Sequence, residues 1–156
     1  MPQPLVGVEI DPKFHDHINE EWVRALAGRV LEQEGPQGPA ELGILITGDE
    51  EVRELNRLYR GLDQTTDVLS FALTEGDGFV TPPDGISHLG EVIISYPQAE
   101  RQAQERGQES LQEIALLLVH GILHLLGHDH ADPDQERHMR ATERALLQAI
   151  PDSIVV

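Results

Sequence analysis

The most apolar stretch of this chain runs from residue 109 to residue 126 and reads as a helix. Its longest apolar run, Ile114 to Val119, stops at His120, far short of the ~20 residues a bilayer-spanning helix needs. The segment is therefore read as a helix that other elements must cover. Two imidazoles, His120 and His124, sit within it four residues apart, and Gly127 follows as a natural stop in a left-handed turn.

The elements around it are short and varied. Leu5 to Ile10 carries Val6, Val8 and Ile10 at alternate positions and reads as a strand. Residues 15 to 34 hold Ile18, Trp22, Leu26, Val30 and Leu31 at helical spacing, and the Gly and Pro residues from 35 to 39 form a loop. Leu42 to Thr47, Val68 to Leu73 and Leu89 to Ser95 supply three more strands. Between the first two of these, Asp49 is expected to cap a helix with Val52, Leu55, Leu58, Tyr59 and Leu62 on one stripe. Thr74 to His88, rich in Gly, Pro and Asp, is a long loop of the kind that often carries function. Residues 97 to 106 form a polar helix that Tyr96-Pro97 starts and Gly107 breaks. Asp132 caps a last one, with Pro133 at its first position. The order predicts one α+β domain over residues 1–156, a small mixed four-stranded sheet packed with about five helices.

Five of the eight histidines fall between residues 120 and 138. Side chains four apart on a helix leave the same face about 6 Å apart along the axis, so His120 and His124 can aim at one point. If the chain doubles back after Gly127, His130 can reach that point too. Three neutral imidazoles leave a fourth tetrahedral position open, the pattern of a catalytic zinc site. A metal held this way lowers the pKa of a bound water to about 7. Asp129 either accepts a proton or orients an imidazole beside such a site, or is an exposed turn carboxylate. His128 and His138 read as solvent-facing or as supports of the ligands.

The spacing of the three histidines and the glycine is also that of the metzincin peptidases, H-E-x-x-H-x-x-G-x-x-H. The glutamate that serves those enzymes as general base is here Gly121, which has no group to move a proton. The string from His120 through His124, Gly127, His128 and Asp129 to His130 instead resembles the signature of the YbeY endoribonuclease (rRNA maturation factor) family. Leu55-Asn56-Arg57-Leu58-Tyr59-Arg60, Thr66-Asp67-Val68-Leu69-Ser70-Phe71 and Leu89-Gly90-Glu91-Val92-Ile93-Ile94-Ser95 match in the family's order, so the resemblance covers about residues 40 to 145. His128 stands where the family commonly has tyrosine, Ala72 where proline is frequent and Glu91 where aspartate is usual.

The resemblance implies a metal-dependent hydrolase that cuts single-stranded RNA in ribosomal RNA maturation and ribosome quality control. It makes His120, His124 and His130 the metal ligands and Arg60 a functional arginine. The metal, Zn²⁺ or another divalent ion such as Ni²⁺, would be one per chain, activating water and stabilising the phosphodiester transition state together with Arg60. A guanidinium also offers a planar fork for phosphate oxygens. Arg53, Arg57 and Arg60 recur on one helix face, as a track for an RNA backbone or as a solvated face paired with nearby glutamates. Ser70 and Thr66 either line the cleft or serve strand packing and turn formation.

Charge limits how RNA can bind. Eleven Lys and Arg against 28 Asp and Glu give a formal charge of −17, which excludes a broad basic surface for duplex DNA or an anionic membrane. Residues 53 to 60 nonetheless hold three arginines against one glutamate, whereas residues 61 to 100 hold seven carboxylates and no Lys or Arg. A short single-stranded segment, aided by a ribosomal or other protein partner, fits that distribution. The chain has no cysteine, which removes thiolate chemistry. Its N-terminus shows no signal peptide pattern, so a cytoplasmic protein is expected. Two alternatives stand beside the nuclease: a zinc peptidase-like hydrolase with Asp129 or Glu91 as base, and a non-enzymatic ribosome assembly factor with a structural metal.

Overall fold

The computed structural model describes residues 5–36, 38–72, 86–128 and 132–148. These form β1 (Leu5–Ile10), α1 (Glu20–Glu34), β2 (Ala40–Thr47), α2 (Asp49–Arg60), β3 (Val68–Ala72), β4 (Ser87–Ser95), α3 (Tyr96–Arg106), α4 (Ser110–Leu125) and α5 (Pro133–Gln148), with a short 3₁₀ turn at Pro12–Phe14. The sheet order is β1-β2-β4-β3. β1, β2 and β4 run parallel and β3 pairs antiparallel to β4, leaving β3 on one edge. The expected α+β class with a four-stranded mixed sheet is what the chain adopts.

Alternation along the strands assigns the helices to layers. Leu42, Ile44, Ile46, Val92 and Ile94 face a core built with α1, α3, α4 and α5. Their neighbours Leu45, Leu69, Phe71 and Ile93 face the other way, onto Val52 and Leu55 of α2. The apolar helix α4 lies at the centre of the larger core, with Ile114, Leu118, Val119, Ile122 and Leu123 fully buried. Glu113, also fully buried, accepts hydrogen bonds from Gln102, Arg106 and Gln108, which supply the partners a buried carboxylate requires.

Several element ends differ from the sequence expectation. The first helix begins at Glu20, not near residue 15, because the Asn19 side chain accepts hydrogen bonds from the backbone N–H groups of Glu21 and Trp22. Gly48 is the N-cap of α2, and Asp49 is its first residue. Asp49 instead accepts hydrogen bonds from Ser95, Arg101 and Thr65, joining α2 to the start of α3. Burial opposes ionisation of its carboxyl, but the Ser95 and Arg101 hydrogen bonds outweigh that and hold it below its ordinary value. β4 begins at Ser87 rather than Leu89 and carries a bulge at Leu89, where Glu41 pairs with His88 and Leu42 with Gly90. Leu73 and most of the expected loop, residues 74–85, lie outside the described residues. The Asp132 cap is as expected, its Oδ1 accepting from the Gln135 N–H at 2.8 Å.

Two glycines mark close approaches. Gly90, at φ +133°, has the Phe71 carbonyl oxygen of the paired strand 2.0 Å from where a Cβ would sit. Gly121 is where α4 meets the sheet: a Cβ there would lie 2.8 Å from Val92 Cγ1, 3.2 Å from Ser70 Oγ and 3.3 Å from Val68 Cγ2. Gly90→Ala is expected to lower stability by about 3 kcal/mol or more, through strained φ and a backbone clash. Gly121→Ala should cost about 1–3 kcal/mol through overpacking. Urea denaturation of both variants measures this, and wild-type midpoints would contradict the packing described.

Candidate metal centre

α4 delivers His120 and His124 from its last two turns. The His120 Nε2 and His124 Nε2 atoms are 3.1 Å apart, with the rings in an edge-on arrangement. Two nitrogens each ~2.0–2.1 Å from a tetrahedral metal are about 3.3 Å apart, so this separation fits a shared ion closely. The other ring nitrogen of His120, Nδ1, lies 2.5 Å from Glu143 Oε1 on α5. With that carboxylate accepting the Nδ1 proton, Nε2 of His120 keeps its lone pair. This is how metal-binding imidazoles are commonly fixed.

Local sequence explains why the helix ends just past these rings. Gly127, at φ +96°, donates its N–H to the His124 carbonyl at 3.1 Å, and the His128 N–H reaches the Leu123 carbonyl at 3.0 Å. This pair of bonds is a Schellman motif, which only a left-handed residue after the helix permits. The expected stop at Gly127 is therefore observed. Asp129 and His130, the remaining expected members of the site, lie outside the described residues. Among the described residues no group of three or more His, Asp or Glu side chains is arranged to hold a metal.

A cavity of about 800 Å³ opens beside His120, with Asp67, Val68, Glu143 and Arg144 among its lining. Asp67 is held in place, accepting from the Val68 N–H and from Gln102. Glu143 is the residue that sequence reasoning missed. It lies 23 positions beyond His120, and only its place on the stripe with Met139 and Leu146, all buried on α5, hinted that it faces inward. His128 and His138 stack on each other with ring centroids 5.6 Å apart and planes 5° apart.

Gly121 and Glu91 bear on the peptidase alternative. Position 121 points into Val92, Ser70 and Val68, so a base there would be driven into the sheet. Val92 meets α4, and its neighbour Glu91 turns to the opposite face, its Cγ packed toward Gly43. Glu91 is thus directed away from the histidine helix. Ser70 donates to the Gly121 carbonyl at 3.2 Å and Thr66 bonds to Asp67, so both have packing or turn roles.

The arginine track is only partly available. Arg53 forks onto Asp63 at 2.8 and 3.2 Å, and Arg57 pairs with Glu54. These hydrogen bonds raise both guanidinium pKa values and lower that of Asp63. Arg60, exposed at the end of α2, has no carboxylate partner among the described residues. It is not among the residues lining the cavity beside His120.

Comparison with known proteins supplies the family. The family model described as Endoribonuclease YbeY matches residues 9–151. A protein named Endoribonuclease YbeY from Dehalococcoides mccartyi is 44% identical over 153 residues, covering 93% of this chain and 96% of its own. Similar proteins of that name occur in Roseiflexus castenholzii, at 43% identity over 94% and 92% of the two chains, and in Halalkalibacterium halodurans, at 45% over 92% and 96%. A solution structure from Thermotoga maritima shares the fold, with a TM-score of 0.63 and 24% identity over 92% of this chain and 87% of that one. The chain belongs to the endoribonuclease YbeY family.

Proposed function

We propose that the chain is a single metal-dependent hydrolase domain that cuts single-stranded RNA during ribosomal RNA maturation and ribosome quality control. The observation that carries this reading is the 3.1 Å approach of two Nε2 atoms with a carboxylate behind one of them. His120 and His124, with His130 as the third imidazole, are the metal ligands, and Zn²⁺ or a comparable ion such as Ni²⁺ suits the donor set. Bound there, a divalent cation supplies Lewis-acid stabilisation of the charge that develops on a phosphodiester.

The chain's own side chains do the rest. Glu143 holds the Nδ1 proton of His120 and fixes which nitrogen faces the ligand position. Arg60, without a carboxylate partner among the described residues, is free to pair with a substrate phosphate and to offset transition-state charge. Asp129, next to His130, is assigned to proton transfer at the same centre. Among the described residues no helix is long and apolar enough to cross a membrane. With a net charge of −17 the substrate is a short single strand presented in the cytoplasm by a ribosomal particle or ribosomal protein, rather than duplex DNA.

Purified protein should cut single-stranded RNA, and chelation or His124→Ala should slow cutting by at least about 100-fold. Cleavage that persists in folded His124→Ala would overturn the reading. Glu143→Ala should weaken zinc binding by about 10- to 100-fold, measured by competition with a chromophoric chelator. Glu143→Gln, which retains an acceptor oxygen, should lose less. Unchanged zinc affinity in folded Glu143→Ala would show that the carboxylate plays no part in holding the imidazole.

A further inference from the structure

Four large apolar side chains are markedly exposed among the described residues, and three of them fall within five positions: Leu58, Tyr59 and Leu62, at 58%, 69% and 43% exposure. They crown the C-terminal end of α2, where Gly61 at φ +72° turns the chain away from the helix. Tyr59 is not loose. Its ring packs against Phe71 of β3, with centroids 5.2 Å apart and planes tilted by 58°. Arg60 lies between them in sequence and is the one arginine of α2 without a carboxylate partner among the described residues.

The position of this patch relates it to the metal centre. β3 is an edge strand, and its consecutive residues face opposite layers. Phe71 supports Tyr59 on the α2 side, while Ser70 bonds to Gly121 of the histidine helix on the other. The aromatic pair and the metal centre thus flank one strand with an open outer edge.

We propose that Tyr59, buttressed by Phe71 and flanked by Leu58 and Leu62, is a stacking platform for bases of single-stranded RNA adjoining the cleaved bond, with Arg60 on the neighbouring phosphate. The proposal rests on the ribonuclease reading and adds a base-contacting surface to it. An apolar face beside a free guanidinium matches a nucleotide, which presents a flat π surface joined to an anion. Three apolar side chains are too few for a stable protein interface, which engages roughly 20–30 residues a side. An anionic lipid surface is disfavoured by the net charge of −17.

The test measures binding of a fluorescein-labelled oligouridine to metal-free protein by anisotropy, beside an abasic analogue of equal length and charge. Tyr59→Ala should weaken oligouridine binding about tenfold and leave the abasic analogue unaffected, whereas Tyr59→Trp and Tyr59→Phe retain affinity. Thermal melts verify that the exposed substitutions leave the fold intact. Wild-type affinity in Tyr59→Ala, or equal losses on both ligands, overturns the platform. So does a Tyr59→Ala variant that changes only self-association in sedimentation. Parallel cleavage assays with metal-loaded wild type separate the two claims. Cleavage with Tyr59-insensitive binding removes the platform alone, and Tyr59-dependent binding without cleavage removes the nuclease reading alone. A wild type that neither binds nor cuts removes both.

Discussion

The contact at Gly121 governs much of the rest of the structure. By leaving out a Cβ, this residue lets α4 settle against Val68, Ser70 and Val92, closer than any side chain would allow. That approach holds the following turn of the helix in register, so His124 is carried on a rigid, buried element rather than on a loop. The Ser70 hydroxyl bond to the Gly121 carbonyl adds a polar tie at the same point. The position beside the first histidine is therefore occupied by packing. Any proton transfer at this centre must come from another segment, which separates this chain from peptidases that share its histidine spacing.

A second consequence concerns α5. Its buried Met139 and Leu146 seat it against the core, and this docking brings Glu143 to the Nδ1 of His120. The carboxylate and the second imidazole act on opposite nitrogens of one ring. The orientation of the His120 ring is thus set from two helices, α4 and α5. Electrostatics elsewhere follow from the acid excess. Arg24, Arg53, Arg57, Arg101, Arg106, Arg137 and Arg140 are all paired with carboxylates. In so acidic a chain, the exposed arginines left without such a partner among the described residues, Arg60 and Arg144, carry more information than a count of basic residues.

Much of this was legible in the chain itself. Strand alternation, the apolar α4 and the glycine after His124 identify the elements and the helix stop, because each is a local signal with a local cause. The i, i+4 histidines were readable for the same reason. The ends of elements were less so: Asn19 and Gly48 took capping positions that periodicity had extended past or assigned to Asp49. Glu143 was invisible because its meaning depends on a tertiary contact between α4 and α5. The orientation of Glu91 away from α4 likewise emerges only once β4 is registered against β2. The pairing of Arg57 with nearby Glu54 was an open alternative in the sequence, whereas the hold of Asp63 on Arg53, ten positions away, emerges only in the fold.

The central claim is that the imidazoles of α4 share one metal ion on which RNA cleavage depends. Cobalt(II) titration of the metal-free protein tests this directly, through the visible absorption of a four-coordinate nitrogen-ligated ion together with RNA cleavage by the same sample. The account predicts one equivalent bound per chain, with cleavage restored in step. It also predicts loss of both in His120→Ala and His124→Ala proteins that remain folded. Stoichiometric binding and cleavage that survive in either folded variant would contradict it.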